Sequence, residues 1–251
     1  MNRSLLSTLA LSLLALFNPA FADTYPGNGA TGFGGSVGTG SITITDTPTS
    51  LTLSFNRGAG QFNDALVLYI DSQAGGFTDN SSFGDNADGG REAISGTNNG
   101  NPSQTLVSLP FAADYAMAIQ NGFIGVFQLA SGGNNSLVFL FGVAQSGNNS
   151  DASYSITLTA AQMAQIGLTA ASGQSFQFVG SLISASAYRS NETIGASTTT
   201  PGDGSGNAGF SNPQTFDSAL SFTLVPEPSV FALLGVGVTA FGIIVRSRKN
   251  S

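Results

Sequence analysis

The chain contains no cysteine, no histidine and no tryptophan, and only 7 of its 251 residues are basic. Without imidazole there is no Ser-His-Asp triad and no histidine acid–base chemistry. Without a thiol there is no cysteine nucleophile, disulfide, lipoprotein anchor or thiolate metal site. Zinc, copper, haem and iron–sulfur centres lose their usual ligands. Oxygen donors remain, so calcium is the ion such a chain would take. Charge of either sign is scarce, at 8% of residues against roughly 25% in an ordinary soluble domain.

The few cations are placed unevenly. They are Arg3, Arg57, Arg91, Arg189, Arg246, Arg248 and Lys249. The stretch Asp23–Val225 has three arginines and no lysine, which removes Schiff-base and Ser-Lys mechanisms. It holds thirteen of the fourteen acidic residues, giving a net charge of −10. Nucleic acid and anionic membrane surfaces would repel such a body.

What is present begins with two terminal signals. Arg3, the apolar run Leu5–Phe17 and the small-x-small pattern Ala20-Phe21-Ala22 follow one another. That order predicts a signal peptide over residues 1–22, cut by signal peptidase before Asp23. The apolar run is too short to span a bilayer, which needs about 20 residues. At the other end Pro226-Glu227-Pro228 precedes the apolar run Val230–Val245, and Arg246, Arg248 and Lys249 follow. The prolines keep the motif extended. The apolar run predicts a transmembrane helix, 230–245, and the basic cluster would hold its end in the cytoplasm.

Residues 226–251, with their motif, helix and basic end in order, resemble the PEP-CTERM sorting signal of Gram-negative bacteria. The resemblance implies recognition by an exosortase, a transpeptidase-like membrane enzyme, and removal of the tail. It implies an exported protein associated with exopolysaccharide and biofilm, at the cell surface or in the extracellular matrix. The membrane would be engaged only through the sorting helix, and transiently.

Between the signals, residues 23–225 are expected to form one extracellular domain. Ile42 and Ile44, Leu51, Leu53 and Phe55, Tyr154, Ile156 and Leu158, and Leu220, Phe222 and Leu224 alternate with Ser and Thr. Each run predicts a strand with one buried face. Ala65–Ile70 and Leu137–Val143 are apolar on both faces and suit central strands. Asn121-Gly122 predicts a two-residue hairpin of type I′, which needs positive φ at both positions. One short helix is expected over Ala160–Ile166, capped by Thr159 and stopped by Gly167. Tyr25–Gly40, Gln73–Gly90 and Thr198–Asn212 read as flexible loops. The fold class is all-β, a sandwich of jelly-roll or carbohydrate-module type, with a core supplied mainly by 19 phenylalanines. Asp64–Asp71 with Gly75–Asp79, and Asp88–Gly96, resemble a recurring domain of exported proteins with this tail; no activity follows from that.

Candidate chemistry lies with the acids. Asp64, Asp71, Asp79, Asp85, Asp88 and Glu92 fall within 29 positions. Asp71, Asp79, Asp85 and Asp88, on a loop with sharp glycine bends, form the candidate calcium site, although the EF-hand spacing is not met. Glu192 is a candidate ion-pair partner for Arg189 or Arg91. The leading expectation is a non-enzymatic surface or matrix protein, with no catalytic residues. A calcium-stabilised carbohydrate-binding module that contacts extracellular polysaccharide is the alternative, and its tyrosines (Tyr25, Tyr69, Tyr115, Tyr154, Tyr188) would supply the ligand face. A glycan-active enzyme using two carboxylates is the third reading.

Overall fold

A computed structural model describes residues 21–98, 104–144, 147–170, 172–199, 207–210 and 212–225. Along them run the strands β1 (Phe21–Pro26), β2 (Ser41–Thr47), β3 (Ser50–Asn56), β4 (Ala65–Asp71) and β5 (Phe77–Asp79). The helix α1 (Gly89–Ser95) precedes β6 (Val107–Ala113), β7 (Tyr115–Gln120), β8 (Phe123–Gln128), β9 (Val138–Ala144) and β10 (Ser153–Thr159). The helix α2 (Ala160–Gln165) is followed by β11 (Ser175–Ile183), β12 (Arg189–Ile194), β13 (Ser197–Thr199), β14 (Gln214–Phe216) and β15 (Leu220–Thr223).

The alternating runs build an outer sheet in the order β1-β2-β3-β10, antiparallel throughout. Ile42, Ile44, Leu51, Leu53, Phe55, Tyr154, Ile156 and Leu158 turn inward, and the intervening Ser and Thr lie on the other face. A slip of one residue would put every one of these apolar side chains into water, which pins the register.

The central sheet has the order β12-β11-β4-β7-β8-β9, with β15 also paired to β11. Its inner strands β4 and β7 bury both faces. Leu66, Leu68 and Ile70 of β4 face the outer sheet, together with Met117, Ile119, Phe176 and Phe178. Ala65, Val67 and Tyr69 face the opposite way, with Ala116, Ala118 and Val179. There they meet a third, small sheet of order β13-β14-β6-β5 and the helix α1. The fold is thus an all-β sandwich whose central sheet is covered on its second face as well. Each large apolar side chain buried in these layers contributes about 1.5–3 kcal/mol.

Ala65–Ile70 is central, as its doubly apolar pattern predicts. Leu137–Val143 is not: β9 lies at the edge of the central sheet, and Val138 and Phe139 are exposed. The Asn121-Gly122 hairpin joins β7 to β8, but only Gly122 has positive φ, at 91°. The turn is therefore not type I′, which would need Asn121 there as well.

The predicted helix is α2, closed by a capping box between Thr159 and Gln162. A cap of this kind contributes about 1 kcal/mol. The helix α1 was not expected, because Gly89 and Gly90 disfavour helix. Asp88 starts it by accepting from the Gly90 and Arg91 amides, and Ala93 and Ile94 hold it to the core.

Two stretches expected as flexible loops are packed. Residues 35–38 are buried, as are Asn80, Phe83 and Asp85. Thr198–Asn212 lies largely outside the described residues.

Candidate functional site

The acidic cluster divides into separate structural tasks. Asp85 is fully buried, and its carboxylate accepts from the amides of Ala87 (3.1 Å), Asn135 (2.9 Å) and Leu137 (2.9 Å). Arg91 Nε lies 3.3 Å from it. The same guanidinium pairs with Asp88, the cap of α1, and stands 5.2 Å from the centre of the Phe127 ring. One arginine thus ties two acids and an aromatic face to the start of the helix.

Asp79 accepts from the amide and hydroxyl of Ser81, which hold its pKa below the usual carboxylate range. Asp71 sits at the end of β4, and burial, with the nearby Asp114 charge, raises its pKa. Of the four candidate calcium ligands, Asp85 and Asp88 share Arg91, Asp79 is bonded by Ser81, and Asp71 lies near Asp114 at the end of β4. Among the described residues no three acidic side chains meet as a ligand group.

Glu192 does not pair with Arg189 or Arg91. Arg91 instead joins Asp85 and Asp88. The Glu192 carboxylate is fully buried and accepts four backbone amides: Phe33 at 2.7 Å and Gly35 at 2.9 Å on Oε1, Val37 at 2.9 Å and Gly38 at 3.0 Å on Oε2. Gly34 and Gly35 have φ of 96° and 89°, left-handed conformations that turn successive amides toward one anion. Residues 32–38 are therefore wrapped around a side chain more than 150 positions away in the sequence. Arg189 is also fully buried; it donates to Ser181 Oγ at 2.6 Å and contacts Tyr69, and desolvation lowers its pKa.

A polar cleft of about 250 Å³ lies between α1, the β7–β8 turn and the approach to β4. Asn63, Asp64, Glu92, Gln120, Asn121 and Ser184 line it. Burial, and then the Glu192 charge, raises the Asp64 pKa. Carboxylates, amides and a hydroxyl with no cationic side chain suit a neutral, hydroxyl-rich ligand and disfavour an anionic one. Of the five tyrosines, Tyr69, Tyr115 and Tyr154 are buried. Tyr25 packs edge-on against Phe178 and donates to the Ser221 carbonyl, and its pKa is pushed up to about 12 by burial and Asp23. Tyr188 stacks with Phe33.

Asp46 supplies a testable pH dependence. It is buried in β2, accepts from the Val225 amide at 2.6 Å, and its Oδ1 has no partner among the described residues. Burial raises its pKa above the unfolded value. The folded state therefore holds the proton more tightly, and the stability from this group is lost as pH rises through the folded pKa. Asp64 and Asp71 are shifted the same way. The urea midpoint is expected to fall as pH rises upward from the ordinary carboxylate range, and Asp46→Asn should shrink that fall. A midpoint that rises there, unchanged by Asp46→Asn, would contradict this sign.

Ala22 and Asp23 of the expected signal peptidase site lie in the exposed edge strand β1. Ala20, the sorting motif Pro226, Glu227 and Pro228, the run Val230–Val245 and the cluster Arg246, Arg248 and Lys249 lie outside the described residues. No family model, curated protein or solved structure matches the chain.

Proposed function

We propose that the chain is an exported, non-enzymatic surface or extracellular-matrix protein. Its sandwich domain is delivered across the membrane, held by the tail, and released by an exosortase into an exopolysaccharide-associated layer. The sequence of the tail carries this reading: a proline-flanked glutamate, an apolar run and a basic end follow one another. The acids of the domain support it, because Glu192, Asp85 and Asp88 satisfy backbone amides and an arginine inside the fold. Deleting Pro226–Ser251 should abolish processing and surface delivery; unchanged delivery would defeat the sorting role.

A second reading rests on the polar cleft. Its carboxylates and amides suit a glycan, and the domain would then anchor the chain in polysaccharide, with calcium supporting the loops. A glycan array with and without a chelator tests this. Binding lost on Asp64→Asn and Gln120→Ala would place the glycan in the cleft. A blank array would remove the reading, and glycan cleavage lost on Asp64→Asn would turn it into an enzyme.

A further inference from the structure

We infer that β9 is a self-association edge, through which two copies of this chain join their central sheets. Among the described residues the strand closes one end of that sheet and pairs only with β8. Among the described residues, Val138–Ala144 makes no backbone hydrogen bond outside that ladder. A sheet edge left open in this way is a template for another strand, and proteins that stay monomeric usually protect it with lysine, proline, a bulge or a covering element. The β8–β9 ladder shifts register between Val126 and Phe127, and Phe141–Ala144 beyond it pairs regularly. Its sequence, Val-Phe-Leu-Phe-Gly-Val-Ala, has no charge and no proline. The open edge of the outer sheet contrasts with it: β10 turns Ser153, Ser155 and Thr157 to solvent.

Both faces of β9 are apolar and incompletely covered. On one side Phe139 is 44% exposed and the neighbouring Phe123 39%. Phe123 stacks with Phe139 and lies across Gly142, where a Cβ would come within 2.5 Å of the ring. On the other side Leu140, Phe141 and Val143 are only partly buried against the core. A further strand beside β9 would extend both layers of apolar contact at once.

Charge selects the occupant. No charged residue occurs from Tyr115 to Ser150, which spans β7, β8 and β9, whereas the stretch Asp23–Val225 carries −10. A second copy carries the same negative charge, so most approaches are repelled, and this flank is where two copies meet without opposing charges. An antiparallel edge is also self-complementary about a two-fold axis, the symmetry of an isologous dimer. The inference is independent of the sorting role, since it rests only on the β-domain.

The test uses the full chain in a mild non-ionic detergent that covers its apolar termini. Sedimentation velocity should show a concentration-dependent dimer. Val138→Lys combined with Ala144→Lys places like charges at the joint and should raise the dimer dissociation constant about tenfold or more. Both positions are exposed, so the thermal melt of the variant should match that of the unaltered chain. Because the chain has no native cysteine, single cysteines placed along β9 report the contact by oxidative cross-linking. The yield should peak at one position within Val138–Ala144, and Thr49→Cys, in an exposed turn, should give no dimer. A monomer at every concentration overturns the inference. So does a dimer unaffected by the two lysines, which would assign association to the termini, or one that forms only with an added peptide.

Discussion

Replacing Glu192 with alanine should lower the stability of the domain by about 3 kcal/mol or more, because three buried amides, and a fourth that is half-buried, lose their acceptor at about 1–3 kcal/mol for each buried one. Those amides belong to Phe33, Gly35, Val37 and Gly38, so the loss falls on one loop. Glu192→Gln should recover only part of it. The amide nitrogen that replaces one oxygen would face two N–H donors, and the bonds at the other oxygen would no longer be charge-assisted. Urea unfolding followed by circular dichroism measures the total. Hydrogen exchange at Phe33, Gly35, Val37 and Gly38 should rise first, since each of these amides donates to this one carboxylate. A loss below about 1 kcal/mol, the net value of a single ordinary hydrogen bond, would mean that the loop holds itself together.

Asp85→Ala carries the second large effect. It removes a buried carboxylate that accepts from Ala87, Asn135 and Leu137 and faces Arg91. Arg91 keeps Asp88, so the cost falls on the amides that lose their acceptor, at about 1–3 kcal/mol for each buried one and about 3 kcal/mol in all. Asp79→Ala should cost far less, since Asp79 serves only the exposed turn at Ser81. The contrast separates structure from metal binding. If Asp85 acts by satisfying amides and Arg91, its loss is the same with chelator or with millimolar calcium. If calcium raises the melting temperature of the unaltered chain and that rise vanishes in Asp85→Ala, the carboxylate is a metal ligand instead.

Strands were legible in the sequence wherever one face meets water, since a period of two leaves its mark on Ser and Thr as much as on Ile and Leu. The outer sheet is the clearest case, in β2, β3 and β10. Doubly apolar runs were legible only in part. Ala65–Ile70 and Leu137–Val143 look alike, yet the first is central and the second is an edge. Such a pattern reports that both faces favour apolar contact, not which chain supplies it. The task of Glu192 left little trace, because its partners are backbone amides and carry no side-chain signature. The nearest signal was the glycine-dense run at residues 27–40, which reads as flexibility although it allows close wrapping around an anion. The acidic cluster was legible as composition and misleading as geometry: neighbours in sequence face different partners, and Asp64 and Glu92 meet in a cleft with Gln120 and Asn121 that no local spacing encodes.

In the proposed function the two terminal segments set the destination of the domain, and intact-mass spectrometry of the mature chain from its native host tests them together. The expected mass is that of a chain beginning at Asp23 and lacking the run Val230–Val245 and the cluster Arg246, Arg248 and Lys249. A mature chain that begins elsewhere, or that still carries those C-terminal residues, would contradict export followed by exosortase processing.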